Sequence, residues 1–266
     1  MISAEIAGRL GNQMFIIAAA HSLAIDNNDQ AVFPKSVICV TPPTEGETRL
    51  HRNTILRKVK YVNNLSFIEN LHTEPSNHRY AKIDYKPNLY LRGYFQSEKY
   101  FNHNREHILE LFSPQEQIEE HISKKYTTLI NNPDCVSVHV RRGDYLKLSE
   151  FHAVLGEEYY DKAMDKYHGA NFVFFSDDIE WCRQTFKGKN FTFIEKQPDV
   201  IDMILMSKIC HNIIANSSFS WWGAWLNQME GQTVVTPSRW FGPKNSHLQR
   251  NDLTPSSWDV IMLGEK

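Results

Sequence analysis

The sequence has no long hydrophobic run, since even the apolar stretch 14–20 ends at His21 and Ser22. A membrane-spanning helix needs about 20 mainly apolar residues. The amino end also lacks the basic residues and long apolar core of a secretory signal. The sequence therefore predicts neither a transmembrane helix nor a secretory signal.

Cysteine is scarce and widely spaced, and none of the four residues forms a CxxC pair: Cys39, Cys135, Cys182 and Cys210. Disulfide frameworks and cysteine-based zinc sites both need more closely patterned cysteines. The twelve histidines show no spacing typical of metal ligands either. We therefore expect no metal site, a reducing compartment and a cytoplasmic protein.

The chain also lacks a basic excess, with 29 Lys and Arg against 31 Asp and Glu and a net charge of −2. Proteins that bind nucleic acid through its phosphates usually carry a marked excess of positive charge, so we expect no nucleic acid partner. The Walker A, HExxH and GxSxG motifs are absent as well. The 266 residues, 41% of them apolar, predict an ordinary globular protein of one large domain or two of about 130 residues.

The pattern along the chain predicts an α/β fold. Residues 1–7 predict a strand, residues 8–13 a glycine turn, and the apolar spacing up to Ile25 a helix, with a further strand over 31–33 that Pro34 ends. Residues 40–90 are polar and poorly periodic. Later strands are predicted over 136–140, 172–175, 191–194, 213–215 and 233–235, alternating with helices over 158–167, 179–186, 200–209 and 221–228. This alternation is typical of a doubly wound parallel sheet.

The break signal at 131–134 predicts a domain boundary, which gives domains 1–132 and 133–266. In an open α/β sheet, ligands bind beyond the carboxyl ends of the strands. Three predicted strands end in polar groups, namely Arg141, Arg142 and Asp144; Ser176, Asp177 and Asp178; and Asn216, Ser217 and Ser218. Arginine forks and a helix amino end bind phosphate, so this rim suits a phosphate ester carrying a ribose and a base. The alternative is structural: the serines cap a helix and the arginines pair with Asp144 or Asp178.

The glycine turn at 8–13 offers a second helix amino end, with the Asn12 amide beside it. It is not the GxGxxG dinucleotide motif. Two such anion sites in two halves suggest a cleft between two α/β domains. The tryptophans Trp221, Trp222 and Trp225 have helical spacing, which favours packing in the core over stacking on a sugar.

Four segments in order resemble a known family: GRLGNQMF at 8–15, HVRRGDY at 139–145, FSDD at 175–178 and NSSFSWWGA at 216–224. The second resembles the HxRRxD signature of α1,2- and α1,6-fucosyltransferases. Together the four are similar to the bacterial α1,2-fucosyltransferases of glycosyltransferase family 11. The matches run from residue 8 to about residue 224, so they cover both halves of the chain.

The resemblance implies a GT-B-like fold of two Rossmann-like domains that face a cleft. Residues 1–132 would be the acceptor-side domain and residues 133–266 the domain that binds GDP-fucose. It also implies inverting, metal-independent transfer of L-fucose to the 2-hydroxyl of a terminal β-galactoside. A bacterial enzyme of this kind would build O-antigen or capsule repeats on lipid-linked intermediates, at most peripherally associated with the inner membrane.

Site residues follow from the resemblance position by position. It implies that His139 and Asp202 bind guanine and that Arg141 binds the β-phosphate. Asn12 and Gly11 would approach the donor from the first domain. The diphosphate would be held by Ser217, Ser218 and the Phe219 amide. The motifs also contain Arg142 and Asp177 as donor-binding residues and Asp144 as a catalytic residue beside Arg141 and Asn12; alternatively, Arg142, Asp144 and Asp177 only orient Arg141.

Several questions stay open at this point. Asp144, Glu150 and His152 are candidates for a general base because they lie on the loop that follows the arginines. Residues 40–110 are expected to shape the acceptor site, with lactose, N-acetyllactosamine and the type 1 disaccharide as alternatives. The donor could also be used in an α1,6-type transfer, and a non-catalytic carbohydrate- or nucleotide-binding protein is the alternative from another class.

Overall fold

The computed structural model describes residues 1–38, 43–75, 79–248 and 251–264. The chain divides into two units, which are treated separately below. The first comprises residues 1–115 and 248–255, and the second residues 116–247 and 256–266. Cys39 lies outside the described residues, and Cys135, Cys182 and Cys210 are buried free thiols.

The first unit is built on short parallel strands around one long buried helix. Its elements are β1 (Ile2–Ala4), α1 (Leu10–Asp26), β2 (Phe33–Pro34), α2 (Glu45–Asn53), β3 (Tyr61–Val62), β4 (Asn70–Thr73), β5 (Leu89–Arg92) and α3 (Arg105–Leu111). The strands β1, β5 and β4 form one parallel sheet in that order, and β2 pairs with β3. A parallel bridge between Ile2 and Ala31 connects β1 to the segment that leads into β2. The apolar run 14–20 is fully buried within α1, as expected for a helix that is apolar on all sides.

The second unit is a doubly wound α/β domain. Its elements are α4 (Glu116–Lys125), α5 (Thr127–Ile130), β6 (Cys135–Val140), α6 (Glu157–Met164), β7 (Asn171–Ser176), α7 (Ile179–Thr185), β8 (Phe191–Phe193), α8 (Asp199–Met206), β9 (His211–Ile213), α9 (Ser218–Trp225), β10 (Val234–Pro237) and β11 (Asp259–Ile261). All its strand pairs are parallel, in the order β11-β10-β9-β6-β7-β8. Numbered from β6, this is the 3-2-1-4-5-6 order of dinucleotide-binding domains.

The buried core around this sheet explains why its strands could be predicted from the sequence. Every residue of β6 is buried, and its valines pack with Phe172 and Phe174 of β7. Strands covered by helices on both faces read as continuous apolar runs. Trp221 and Trp222 are 0% exposed and Trp225 is 3% exposed, which confirms the core interpretation of the tryptophans over sugar stacking.

The division between the units differs from the predicted boundary at 132/133. The segment 132–134 forms the turn into β6, where Cys135 N–H bonds to the Asn132 carbonyl at 3.1 Å. Helix α4 and its neighbour belong to the second unit because Glu119 pairs with Lys208 at 2.5 Å and the Tyr126 hydroxyl bonds to Gln197. Contacts between residues so far apart in sequence cannot be predicted from a local break signal such as the one at 131–134.

Element bounds also differ in places from the sequence-based expectation. Strand β9 covers 211–213 rather than 213–215, because the chain turns where Ser217 N–H bonds to the Ala215 carbonyl at 2.8 Å. Helix α9 starts at Ser218, three residues before the expected start. Pro34 is the last residue of the two-residue strand β2, whereas the sequence predicted a strand over 31–33 that stops before it. No helix among the described residues is both long and apolar enough to cross a bilayer.

Candidate functional site

The candidate site of the second unit lies at the switch point of its sheet. The order of strands reverses between the neighbours β6 and β9, and ligands of doubly wound sheets bind beyond the carboxyl ends of strands at that point. Arg141 directly follows β6, and the segment 216–218 follows β9 and opens α9. The fold therefore brings two of the three predicted polar segments to neighbouring strand ends, with the third at the end of β7.

Arg141 is held in a fixed orientation by two carboxylates. Its Nη2 lies 2.7 Å from Asp144 Oδ1 and its Nη1 lies 2.9 Å from Asp177 Oδ2. Among the described residues these carboxylates are the acceptors of its guanidinium, and they occupy two of its five N–H donors. The side chain is 18% exposed, so the remaining donors belong to a rigid group that an anion can reach.

Arg142 has a different set of contacts from its neighbour. Its Nε lies 3.1 Å from Asp178 Oδ2, and its guanidinium carbon lies 3.9 Å from the centre of the Trp181 ring. Asp178 also caps α7 by accepting the N–H of Trp181 at 3.3 Å. These contacts tie the end of β6 to α7, so the structural alternative describes Arg142 well.

The packing around residue 143 explains why a glycine follows the two arginines. A Cβ atom at this position would lie 2.5 Å from Asp177 Oδ2, which is closer than real Cβ contacts. The same carboxylate accepts the backbone N–H of Arg142 at 2.9 Å and pairs with Arg141. A side chain at residue 143 would push Asp177 away and release the orientation of Arg141.

His139 is a buried neutral imidazole at the last but one residue of β6. It is 5% exposed, and burial together with the nearby Arg141 charge lowers its pKa to about 3. Its ring lies 5.5 Å from the Phe219 ring, and its Nδ1 has no hydrogen-bond partner among the described residues. A neutral imidazole offers one donor and one acceptor, which suits the edge of a nucleobase better than a phosphate.

The start of α9 combines a side-chain cap with a tightly held loop. Ser217 accepts the N–H of Phe219 at 3.3 Å, which is the capping role of the structural alternative. Asn216 is buried, and its amide donates to the carbonyls of Ala153 and Trp240, both at 2.8 Å. The loop that presents Ser217 and Ser218 is thus fixed to two other segments of the unit.

Tyr145 connects the arginine loop to the serine loop. Its hydroxyl donates to the Asn216 carbonyl at 3.1 Å, and its ring stacks on His152 at 4.3 Å with an angle of 9°. The guanidinium of Arg141 lies 5.4 Å from the same ring. Burial raises the pKa of Tyr145 to about 12, so the hydroxyl stays protonated and able to donate.

Asp202 lies on the first turn of α8, which follows β8 and so begins on the carboxyl side of the sheet. Burial raises its pKa to about 7, although a hydrogen bond from Gln197 Nε2 opposes the shift. Gln197 in turn accepts from the Tyr126 hydroxyl. The described contacts do not join Asp202 to His139 or Arg141.

Asn12 and Gly11 lie in the first unit, at the start of α1 and beyond the carboxyl end of β1. Gly8 has a φ of +73°. A Cβ there would overlap with the Asn12 side chain, so both the backbone and the packing require glycine. Gln96 Nε2 donates to Asn12 Oδ1 at 2.8 Å.

The three candidates for a general base differ in their surroundings. Asp144 is paired with Arg141, and Glu150 is exposed, with its backbone carbonyl bonded to Lys244 N–H at 2.8 Å. His152 stacks on Tyr145, and burial lowers its pKa although Asp144 opposes the shift. His152 is thus the neutral acceptor of the three.

Sequence reasoning missed four residues whose side chains contact the predicted site residues: Tyr145, Trp181, Gln197 and Gln96. Except for Gln197, which donates to Asp202 five positions away, each contacts a residue distant in sequence, as Tyr145 contacts Asn216, so no local spacing marks it. Among residues 1–38, 43–75, 79–248 and 251–264, no group of three His, Cys, Asp or Glu side chains could hold a metal ion.

Replacing Tyr145 with phenylalanine is expected to lower the free energy of unfolding by about 1 kcal/mol, because the Asn216 carbonyl loses its bond. Nucleotide affinity should fall severalfold, because Asn216 directly precedes Ser217 in the loop that opens α9. Denaturant unfolding and nucleotide binding measure the two effects. Tyr167→Phe is the matched control, because its hydroxyl bonds to Thr233 at 2.8 Å just before β10, at the opposite end of the sheet. Equal nucleotide affinity in wild type and Tyr145→Phe would contradict the bridging role.

Comparison with known proteins identifies the family. The model of the family described as Glycosyl transferase family 11 matches residues 1–259. The chain belongs to this family, as its four motifs predicted. The O-antigen biosynthesis glycosyltransferase WbnK of Escherichia coli is 36% identical over 220 residues, which cover 77% of this chain and 68% of that protein.

Two further relatives bear on linkage. An alpha-1,2-colitosyltransferase of Escherichia coli is 29% identical over 97% of this chain and 98% of its own length. A galactoside 2-alpha-L-fucosyltransferase of Bos taurus is 29% identical over 82% of this chain and 62% of its own length. These named activities are α1,2 glycosyl transfers.

The fold also resembles solved structures. POFUT1 in complex with GDP matches with a TM-score of 0.51 at 12% identity, covering 88% of this chain and 97% of that one. At this identity the likeness concerns the fold alone. With the parallel sheets described above, it confirms the expected α/β, GT-B-like class.

Proposed function

We propose that this protein transfers L-fucose from GDP-fucose to the 2-hydroxyl of a terminal β-galactoside, with inversion and without a metal ion. The observation that carries the proposal is the rigid Arg141 guanidinium beside the start of α9, at the switch point of a nucleotide-binding type of sheet. Family membership and the α1,2 activities of the named relatives support the type of transfer.

The reaction needs a group that stabilises the departing diphosphate. The acceptor oxygen bonds to the anomeric carbon as the bond between that carbon and the β-phosphate oxygen breaks, so negative charge grows on GDP. Arg141 and the N–H groups at the start of α9 are donors whose positions are set before the reaction. Such preorganised donors stabilise developing charge more than water does.

Guanine recognition is assigned to His139 and Asp202. The neutral imidazole of His139 can bond to the edge of a base, and an ionised Asp202 can accept two N–H groups of guanine. Asp144 and Asp177 then orient Arg141, and Ser217, Ser218 and the Phe219 amide bind the diphosphate. Asn12 is proposed to donate to the β-phosphate, and His152 can take the proton of the acceptor hydroxyl.

A second donor is suggested by the relative that matches over nearly its full length, the alpha-1,2-colitosyltransferase. Colitose is fucose without its 3-hydroxyl group, so the same site chemistry would serve either sugar. The acceptor is proposed to be a β-galactoside of an O-antigen or capsule repeat, on a lipid-linked intermediate, in keeping with the name of WbnK.

Transfer to a panel of β-galactosides tests the proposal, with GDP-fucose and GDP-colitose compared as donors in the presence of EDTA. The expected product is an α1,2-linked fucosyl galactoside, identified by NMR, with Arg141→Ala as the inactive control. Preference for GDP-colitose would assign the second donor. Neither transfer nor hydrolysis of either donor, with no GDP binding, would refute the proposed function.

A further inference from the structure

The start of α8 holds a chain of hydrogen bonds that ends on Asp202. Pro198 disfavours a helical backbone at the residue before it, so the helix begins after Gln197. Tyr126, between α4 and α5, donates from its hydroxyl to Gln197 Oε1 at 2.5 Å. Gln197 Nε2 then donates to Asp202 Oδ1 at 2.5 Å. All three residues belong to the second unit.

The donors of this chain all point toward Asp202. An ionised carboxylate only accepts hydrogen bonds, whereas a primary amide has one donating and one accepting end. With its Nε2 on the carboxylate, Gln197 turns Oε1 to the hydroxyl of Tyr126, which then has to donate. Successive bonds of this kind polarise one another where water is excluded, and Tyr126 is only 8% exposed. The chain therefore stabilises a negative charge on Asp202.

The charged groups around Asp202 do not replace this chain. Asp199 on the same helix raises the pKa of Asp202, and Lys125 on α4 lowers it, so the two act against each other. Farther along α8 and α4, Lys208 pairs with Glu119. Helix α9, which also packs against α8, has no ionisable side chain. The bond from Gln197 is thus the main contact that opposes the effect of burial.

We propose that Gln197 and Tyr126 are positioning residues that hold the carboxylate of Asp202 charged and in one orientation for the base of the nucleotide. The inference rests on the proposed function, in which Asp202 accepts N–H groups of guanine. Gln197 occupies Oδ1, and Oδ2 has no hydrogen-bond partner among the described residues. A proton on Asp202 would then be carried by Oδ2, and its O–H would face the N–H groups of guanine as a second donor.

Replacing Gln197 with methionine removes the bond at similar size. We expect the titration of the Asp202 carboxyl in the free protein, followed by carbon-13 NMR, to move upward by about one pH unit. The ionised fraction at pH 7 then falls from about one half to about one tenth, so GDP affinity at pH 7 should fall about fivefold. Most of this loss should be recovered at pH 9, where the carboxyl is ionised in both proteins.

Tyr126→Phe is the second variant, and it leaves the bond between Gln197 and Asp202 in place. The titration should move in the same direction but less far, with GDP affinity at pH 7 about twofold lower, because the amide loses the donor that polarises it. In the Asp202→Asn background, Gln197→Met and Tyr126→Phe should each change GDP affinity less than twofold at every pH, since the group that they hold charged is gone.

A matched control removes the same kind of bond elsewhere in the second unit. Gln184 Nε2 donates to Glu180 Oε1 at 3.1 Å on the exposed side of α7. Gln184→Met should leave the titration of Asp202 and the affinity for GDP unchanged. Thermal unfolding checks that each variant is folded.

The possible outcomes are distinct. A Gln197→Met protein that loses the same GDP affinity at every pH would show a packing role only, and would overturn the proposal. So would an unchanged titration of Asp202 in the folded variant. The titration is measured without nucleotide, so it separates the two hypotheses. A wild-type protein that binds no GDP refutes the proposed function, and with it the assignment to a base, whatever the titration shows.

Discussion

Replacing Arg141 with alanine is expected to lower GDP-fucose turnover by about 10²–10³-fold, the usual cost of one preorganised donor to a developing negative charge. The guanidinium is held by Asp144 and Asp177, so its remaining N–H donors are in position before the reaction, and alanine removes them. The loss should fall mainly on kcat, because the charge on the diphosphate grows in the transition state. Steady-state kinetics with GDP-fucose and a β-galactoside measure it.

Arg141→Lys and Arg183→Ala are the companion variants. Lysine keeps the charge but cannot serve two carboxylates and a phosphate in one plane, so turnover should still fall at least about tenfold. Arg183 pairs with Glu195 on the surface of the same unit, and its removal should leave turnover unchanged. Near-normal turnover in a folded Arg141→Ala protein would refute the role assigned to this arginine.

The second half of the fold was predictable because its strands are buried on both faces. The buried residues of β6 and β7 form continuous apolar runs, and each run ends abruptly in charged residues. The parallel sheet then places those ends on one edge, so the positions of Arg141 and Asp177 followed from the alternation alone. Their ion pairs confirm that the residues meet.

The first half was harder to predict because its elements are short and polar. Strand β4 has the half-exposed sequence NLHT, and β3 has only two residues. Strands of this kind are stabilised by their partners rather than by an apolar pattern. The bond between Gln96 and Asn12 spans 84 positions in the chain, so no window of sequence contains it.

The structural and the functional interpretations of the polar rim are not exclusive. Arg142 and Asp178 do pair as the structural alternative predicts, and Ser217 does cap α9. The contacts of Arg141 are compatible with both interpretations, since its two ion pairs hold the guanidinium and leave N–H donors for an anion. Ion pairs that immobilise a donor before the ligand arrives reduce the entropy that binding would otherwise cost.

Affinity for GDP is expected to rise between pH 6 and pH 8, because Asp202 has to ionise before it can accept the N–H groups of guanine. Burial raises the pKa of Asp202 to about 7, so the free protein holds a proton there at pH 6. Binding at pH 6 should therefore release that proton. Calorimetry in buffers of different ionisation enthalpy measures both the affinity and the proton released.

Replacing Asp202 with asparagine should remove this pH dependence and weaken GDP binding about 10–100-fold, since a charged acceptor contributes roughly 1.5–3 kcal/mol. The same substitution should stabilise the free protein at pH 8. A raised pKa makes Asp202 favour folding at low pH, and that contribution is lost as pH rises from about 4 through 7. Asparagine avoids the buried charge and can still accept from Gln197, which gives a gain of roughly 1–3 kcal/mol.

Asp165→Asn is the control for this pair of effects, because that carboxylate is exposed and lies between α6 and the start of β7, away from the site. It should change neither GDP affinity nor its pH dependence. Opposite signs of stability and affinity would show that the chain keeps a buried carboxyl at a cost to folding because the base of the nucleotide requires it. A destabilised Asp202→Asn protein with unchanged GDP affinity would instead make Asp202 a structural partner of Gln197.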